Sequence, residues 1–304
     1  MDTATHASGT AAAPHAADRI TYGAVHLDVT HRERALAFWR DALGLELLAE
    51  DEDGIRLGAA GHTVIVLHPG AARPWRRGHA GLYHVAVHVP DIGEFARAMA
   101  RLAEHRVAQA PTDHIFSMAT YATDADGLTL EITHETPERF AGFRITPGSI
   151  EIVDDQGRLR GPTEALDVQP VLDRMSDLPI GAPMTAGTRV GHVHLHVPDM
   201  DEGVAFYRDV IGFEEHMVMP AIGMSDLSAG GRFPHRLAMN TWFGPGISQP
   251  PAGTAGMRFY ELVVDAAALA GIRDRAPGAA ELEDGRIAVT DPAGNTIHIG
   301  TSAP

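Results

Sequence analysis

The sequence predicts an α+β protein built from four βαβββ units, and three observations predict it. Ala24–Glu46 and His192–Glu214 align without a gap, sharing Ala-Phe-(Trp/Tyr)-Arg-Asp at Ala37–Asp41 and Ala205–Asp209 and then a glycine and a glutamate. A weaker second repeat links GLYHVAVHVPD, from Gly81, to GMRFYELVVD, from Gly256, with matching turn segments ending at Glu131 and His298. Within each unit a period-two stretch precedes a period-3.6 stretch, and short apolar runs follow.

Taken in order, residues 1–18 carry no continuous apolar run and no arginine or lysine, and read as a disordered leader rather than a signal peptide. The first pair of units occupies 19–136, with units at about 20–70 and 81–136. Residues 137–188, rich in Gly, Pro and Asp, read as a linker with one helix over Asp167–Met175. The second pair occupies 189–304, with units at about 189–244 and 255–301. The pattern is clearest in the third unit. In GHVHLHVPD, His192, His194 and His196 share one strand face, and Val193, Leu195 and Val197 the other. Val204, Tyr207 and Val210 then recur at helical spacing, with Gly212 as the stop. After Gly223, short runs bounded by Gly and Asp read as strands.

Composition narrows the function. The chain is 44% hydrophobic, 21% charged and free of cysteine, which excludes disulfides, thiolate metal sites and a thiol nucleophile and fits a cytoplasmic protein. A net charge of −16 argues against nucleic acid and anionic membranes as partners, and no apolar run is long enough to span a bilayer. Function must come from a site, and the 18 histidines are the place to look.

The first-strand motifs, the AFYRDVIGFE helix and the closing Asp-Pro-x-Gly-Asn-like turn resemble the vicinal oxygen chelate superfamily of glyoxalases, extradiol dioxygenases and bleomycin-resistance proteins. In GLYHVAVHVPD, DHIFSMATYATDADG and GHVHLHVPD the chain is most similar to the two-domain catechol 2,3-dioxygenases of the bacilli type. The resemblance implies two domains with cup-shaped mixed sheets and a metal held by a first-strand His, the matching His of a partner unit and a Glu on that partner's last strand.

Those positions are His84 and Glu131 in unit two and His192 in unit three; they are Ala24 in unit one and Phe259 and His298 in unit four. Pairing units two with three, and one with four, unites the donors in one cavity and leaves the other without them. His26, two residues from Ala24 on the same strand face, is the rival donor for a pairing in chain order. A lone strand histidine is more often a packing residue than a ligand; two at equivalent repeat positions, with a Glu in the third place, shift that balance. His88 and His196 read as structural strand residues.

Two imidazoles and a carboxylate suit Fe(II), with Mn(II) or another divalent ion as alternatives, and leave open positions for a bidentate substrate and O2. The implied activity is therefore extradiol cleavage of a catechol-type ring, with a small aromatic diol and O2 as partners and a homo-oligomer as the customary assembly. Tyr121, six residues before Gly127, and His114 and His235 are the catalytic residues the resemblance implies, with the proton acceptor either His114 or His235. His194, Met224 and Trp242 are expected to line the substrate pocket. A glyoxalase-type isomerase or lyase, which usually needs a fourth protein ligand and a carboxylate base, and a non-catalytic binding or resistance protein are the alternatives.

Overall fold

A computed structural model describes residues 17–146 and 149–301. Unit one runs β1 (Thr21–Val29), α1 (Arg32–Leu36), β2 (Glu46–Asp51), β3 (Gly54–Ala59) and β4 (His62–Pro69). Unit two runs β5 (Gly81–His88), α2 (Ile92–Glu104), β6 (Ala110–Asp113), β7 (Ser117–Thr123) and β8 (Thr129–Glu135). Between units two and three lie β9 (Phe140–Thr146), β10 (Ser149–Asp154), β11 (Leu159–Arg160), β12 (Glu164–Ala165) and α3 (Gln169–Leu172). Unit three holds β13 (Arg189–His196), α4 (Met200–Ala205), β14 (Glu214–Met219), β15 (Met224–Ser228) and β16 (Leu237–Asn240). Unit four holds β17 (Gly256–Val263), α5 (Ala266–Arg275), β18 (Ala280–Glu281), β19 (Ile287–Thr290) and β20 (Thr296–Gly300).

The same local chemistry starts three of these five helices. Asp91, Asp199 and Asp265 sit at the N-caps and accept from the backbone N–H three residues on, at 2.9, 3.0 and 2.7 Å. Each such cap stabilises its helix by about 1 kcal/mol. In units one and three the repeated Phe-(Trp/Tyr)-Arg-Asp motif widens the helix to i→i+5 bonding: Leu43 N–H donates to Phe38, and Gly212 N–H to Tyr207. The wide turn aims the motif's aromatic residue at the next unit. Trp39 Nε1 donates to Asp124 at 3.1 Å, and the Tyr207 hydroxyl to Asp291 at 2.7 Å. Consecutive units therefore dock through their helices.

Sheets form differently. The eight-stranded sheet, in order β18-β19-β20-β17-β1-β4-β3-β2, joins units one and four; the nine-stranded sheet, β12-β6-β7-β8-β5-β13-β16-β15-β14, joins two and three. At both seams the first strands run antiparallel, β1 beside β17 and β5 beside β13. The main apolar core, with Trp39, Phe95, Tyr207 and Tyr260 fully buried, lies between the sheets and the helices, and a smaller cluster joins Ile115, Phe116, Ile152 and Phe233.

Two expectations need correction. The 137–188 segment is not only a linker: β9, β10 and β11 form a separate three-stranded sheet, β12 pairs with β6, and the helix spans only Gln169–Leu172. Phe143, Ile145, Ile150 and Ile152 share one face of β9–β10, a strand signal interrupted in the sequence by Pro147 and Gly148. Second, Asp18 is not part of a disordered leader. Residues 1–16 lie outside the described residues, but Asp18 accepts from Arg236 Nε at 2.8 Å and Arg19 N–H donates to Ala229 at 2.8 Å.

Candidate functional site

Strand register assembles the site. His194 lies opposite His84 across the β5–β13 seam, His192 lies opposite Ala86, and Ala86 lies beside Glu131 in the parallel β5–β8 pair. His84, His192 and Glu131 thus project from three adjacent strands. His84 Nε2 and His192 Nε2 are 3.2 Å apart, and Glu131 Oε2 is 2.9 Å from the first and 3.2 Å from the second. All three side chains are buried.

This donor set fits a divalent ion. Two ligands at right angles, each about 2.1 Å from an ion, stand about 3.0 Å apart, close to the three separations here. Among the described residues it is the one group of three such donors that converges. Burial, with His235 adding to it, holds His192 in the neutral form whose nitrogen lone pair can ligate. Burial opposes charge on Glu131, but His192 and His84 outweigh it and keep the carboxyl ionised well below the usual range.

The two imidazoles are held unequally. His192 Nδ1 lies 2.9 Å from His88 Nε2, and His88 Nδ1 lies 2.8 Å from Glu135, which also accepts from Arg189 and Arg236 at 2.7 and 2.8 Å. Because that carboxylate only accepts, His88 donates from Nδ1 and its Nε2 accepts from His192 Nδ1–H. This tautomer leaves His192 Nε2 facing the centre. Gly191 makes room: a Cβ there would fall 1.9 Å from the His88 ring. His84 Nδ1 has no hydrogen-bond partner. His88, expected to be structural, is thus a support for the site; a histidine four residues along the strand from His84 gave no sequence signal of that contact.

A cavity of about 460 Å³ opens beside the three donors. His84, Glu131, His114, Tyr121, His194, Met224, His235 and Trp242 all line it, while His192 stands behind His84 and Glu131. His114 Nδ1 lies 2.9 Å from the Pro162 carbonyl and so donates to it; its Nε2, 2.9 Å from the Tyr121 hydroxyl, accepts. Burial lowers the His114 pKa, and burial with Glu131 nearby raises that of Tyr121 well above its ordinary value. His235 behaves oppositely: burial disfavours its charge, but Asp226, 3.0 Å from Nδ1, more than compensates and raises its pKa. Asn240 holds His194 Nε2 at 2.9 Å and His196 Nδ1 at 2.6 Å. Trp242 is half exposed at the edge of the cavity, its indole N–H donating to Ile222.

His26, the rival donor, sits in the other sheet, 3.5 Å from Glu261 and 3.0 Å from His68. Its two contacts use different ring nitrogens and converge on no common point. Asp226, His88, Glu135 and the wall residues Phe143, Ile150 and Ile152 are the parts of the site that sequence reasoning missed. Of these, His88 stands within GLYHVAVHVPD and Asp226 on a strand neighbouring His235, both near motifs already singled out.

Paired βαβββ units with a two-histidine, one-carboxylate centre at their seam define a metal-site protein of the paired-unit class. The chain belongs to the Glyoxalase/Bleomycin resistance protein/Dioxygenase superfamily, whose model matches residues 21–132 and 189–299. It is 33% identical over 247 residues to a catechol-2,3-dioxygenase of Bacillus subtilis, covering 80% of this chain and 82% of that one. In fold it is similar to a putative dioxygenase from Bacillus subtilis (TM-score 0.62, 14% identity, 95% of this chain and 87% of that one). It is also similar to glyoxalase I from Zea mays (TM-score 0.53, 13% identity, 93% and 92%). No helix among the described residues is long and apolar enough to cross a membrane.

Proposed function

We propose that the protein is an extradiol ring-cleaving dioxygenase that uses Fe(II), held by His84, His192 and Glu131, to open a catechol-type ring. The observation that carries this reading is the convergence of two imidazoles and one carboxylate at the end of a cavity. These three side chains would hold Fe(II), which would supply Lewis acidity toward a bidentate diol and one-electron chemistry toward O2. The similarity to a catechol-2,3-dioxygenase supports the same class of reaction.

The residues around the centre divide the proton work. His114 is neutral, and its free Nε2 accepts from Tyr121. A diol proton passed to the Tyr121 oxygen, while the Tyr121 proton moves to His114, leaves the diol anionic and the tyrosine neutral. The Pro162 carbonyl then steadies the new imidazolium. His235, kept protonated by Asp226, donates toward negative charge that develops across the cavity. His194, Met224 and Trp242 bound the space where the ring lies. A glyoxalase-type isomerase would call on a further carboxylate beside the donors as ligand or base, and no second one joins the converging group among the described residues.

The test is metal analysis after anaerobic purification, followed by O2 uptake with catechol. About one ion per chain and stoichiometric O2 consumption with a yellow ring-opened product are expected. Metal binding without O2 uptake on any diol, together with turnover of a thiohemiacetal, would replace this reading with the isomerase.

A further inference from the structure

The site cavity has two unlike ends. The donors, His114, Tyr121 and His235 form one. The other is apolar, and the segment between units two and three supplies much of it. Phe143 and Ile152 stand directly opposite one another on β9 and β10, Ile150 follows on the same face, and together they face Met217 and Met224 of unit three across the cavity. Ile152 is fully buried, and Phe143 and Ile150 are partly so. No lining residue is an arginine, and the chain has no lysine. Asp226, the lining carboxylate outside the three-donor group, adds negative charge, and the His235 ring, 3.0 Å from it, is already engaged by it.

We infer that the β9–β10 face is the specificity element of this site, and that it selects neutral catechols bearing an apolar alkyl or aryl substituent over catechols bearing a carboxylate. The inference rests on the ring-cleaving reading for the diol end and adds what the rest of the molecule must look like. A bare catechol fills only part of a cavity of about 460 Å³. With the diol fixed at the donors, a substituent runs along Phe143, Ile150 and Ile152, where each buried methylene improves binding by about fourfold. A carboxylate in that place loses its water and meets no cation, which weakens binding on the order of 100-fold or more.

The experiment compares kcat/KM by O2 uptake for catechol and for its propyl, phenyl and carboxyl derivatives, each substituted at ring position 3 and at position 4, using anaerobically Fe(II)-loaded protein. In parallel, calorimetry measures binding of 2-hydroxybiphenyl and of salicylate, which cannot be cleaved, to the same protein without added iron. The propyl and phenyl diols are expected to exceed catechol by at least about tenfold and the carboxylated diols to fall about 100-fold below it, with 2-hydroxybiphenyl binding far more tightly than salicylate. Ile150→Arg should shift the carboxyl-to-phenyl ratio upward by at least about tenfold. Phe143→Ala should lower the preference for phenyl over catechol. Carboxylated and phenyl diols turning over equally in the natural protein, or an unchanged ratio in Ile150→Arg, would overturn the inference. If no diol is cleaved yet 2-hydroxybiphenyl is still preferred, the ring-cleaving reading fails and the selectivity stands. If diols are cleaved but salicylate binds as well as 2-hydroxybiphenyl, the selectivity fails alone.

Discussion

The two sheets enclose cavities of nearly equal size, about 460 Å³ between units two and three and about 480 Å³ between units one and four, with opposite contents. In the first, three donors converge. In the second, Ala24 and Phe259 replace the histidines and His298 replaces the glutamate; Glu261 lies beside His298 in the register that Ala86 keeps beside Glu131. A row of stacked rings lines this cavity: His68 on His26, His26 on Phe259 and Phe259 on His298, with centroids 5.2, 3.9 and 3.8 Å apart. Burial pushes His68 and His298 down to a pKa of about 4, so both are neutral at pH 7. The buried carboxylate, Glu261, is occupied by the Ala24 N–H at 2.9 Å and Arg286 at 2.6 Å. One backbone frame thus supports either converging lone pairs or polar groups that satisfy each other, and three side-chain identities decide which.

The largest expected effect tests that contrast directly. His84→Ala, His192→Ala or Glu131→Gln should remove the ion, from about one per chain to near none, while Glu261→Gln or His298→Ala leaves metal content unchanged. Elemental analysis of each purified variant measures this, and loss of the ion in His298→Ala would erase the distinction between the cavities. Next, His114→Ala should lower kcat by about 10²–10⁴-fold with the metal retained, and a hydroxyl-free Tyr121→Phe should lower it by a similar route. Retention of full turnover in both variants would assign the proton acceptor elsewhere.

A smaller effect separates a supported ligand from an unsupported one. His88→Ala or Glu135→Gln frees His192 from its tautomer and orientation, and should weaken metal affinity by about 10–100-fold in a competition titration. Equal affinity in these variants would mean that His192 needs no support. The mildest prediction concerns pH. His114 must be unprotonated to act, and its pKa is lowered, so kcat should fall on the acid side only below the ordinary histidine value of 6.5. His235 must be protonated, and its pKa is raised, so the alkaline limb should lie above 6.5. Asp226→Asn should draw that alkaline limb toward lower pH.

How much of this was legible in the sequence follows from what repeats encode. The equivalence of His84 and His192, with Glu131 as the third donor, was visible because corresponding strand positions carry corresponding residues. Their distribution among units also predicted which units share a sheet. The support of His192 by His88 was not visible: it depends on a register across the seam and on the missing side chain of Gly191. Nor was the cavity wall formed by Phe143, Ile150 and Ile152, whose apolar pattern is short and interrupted in the sequence by Pro147 and Gly148. The pairing of His235 with Asp226 joins residues on different sides of the β15–β16 turn, where spacing alone fixes no contact.

The exchange of partners between units also sets an order of assembly. His84 and His192 are 108 residues apart, whereas Ala24 and Glu261, joined across the other seam, are 237 apart. During synthesis the central sheet is complete once β16 has left the ribosome, while β1, the first strand made, waits with one edge unpaired until β17 emerges. The donor-bearing half therefore closes the shorter loop, with the smaller entropic cost, and the outer half is the last to zip shut.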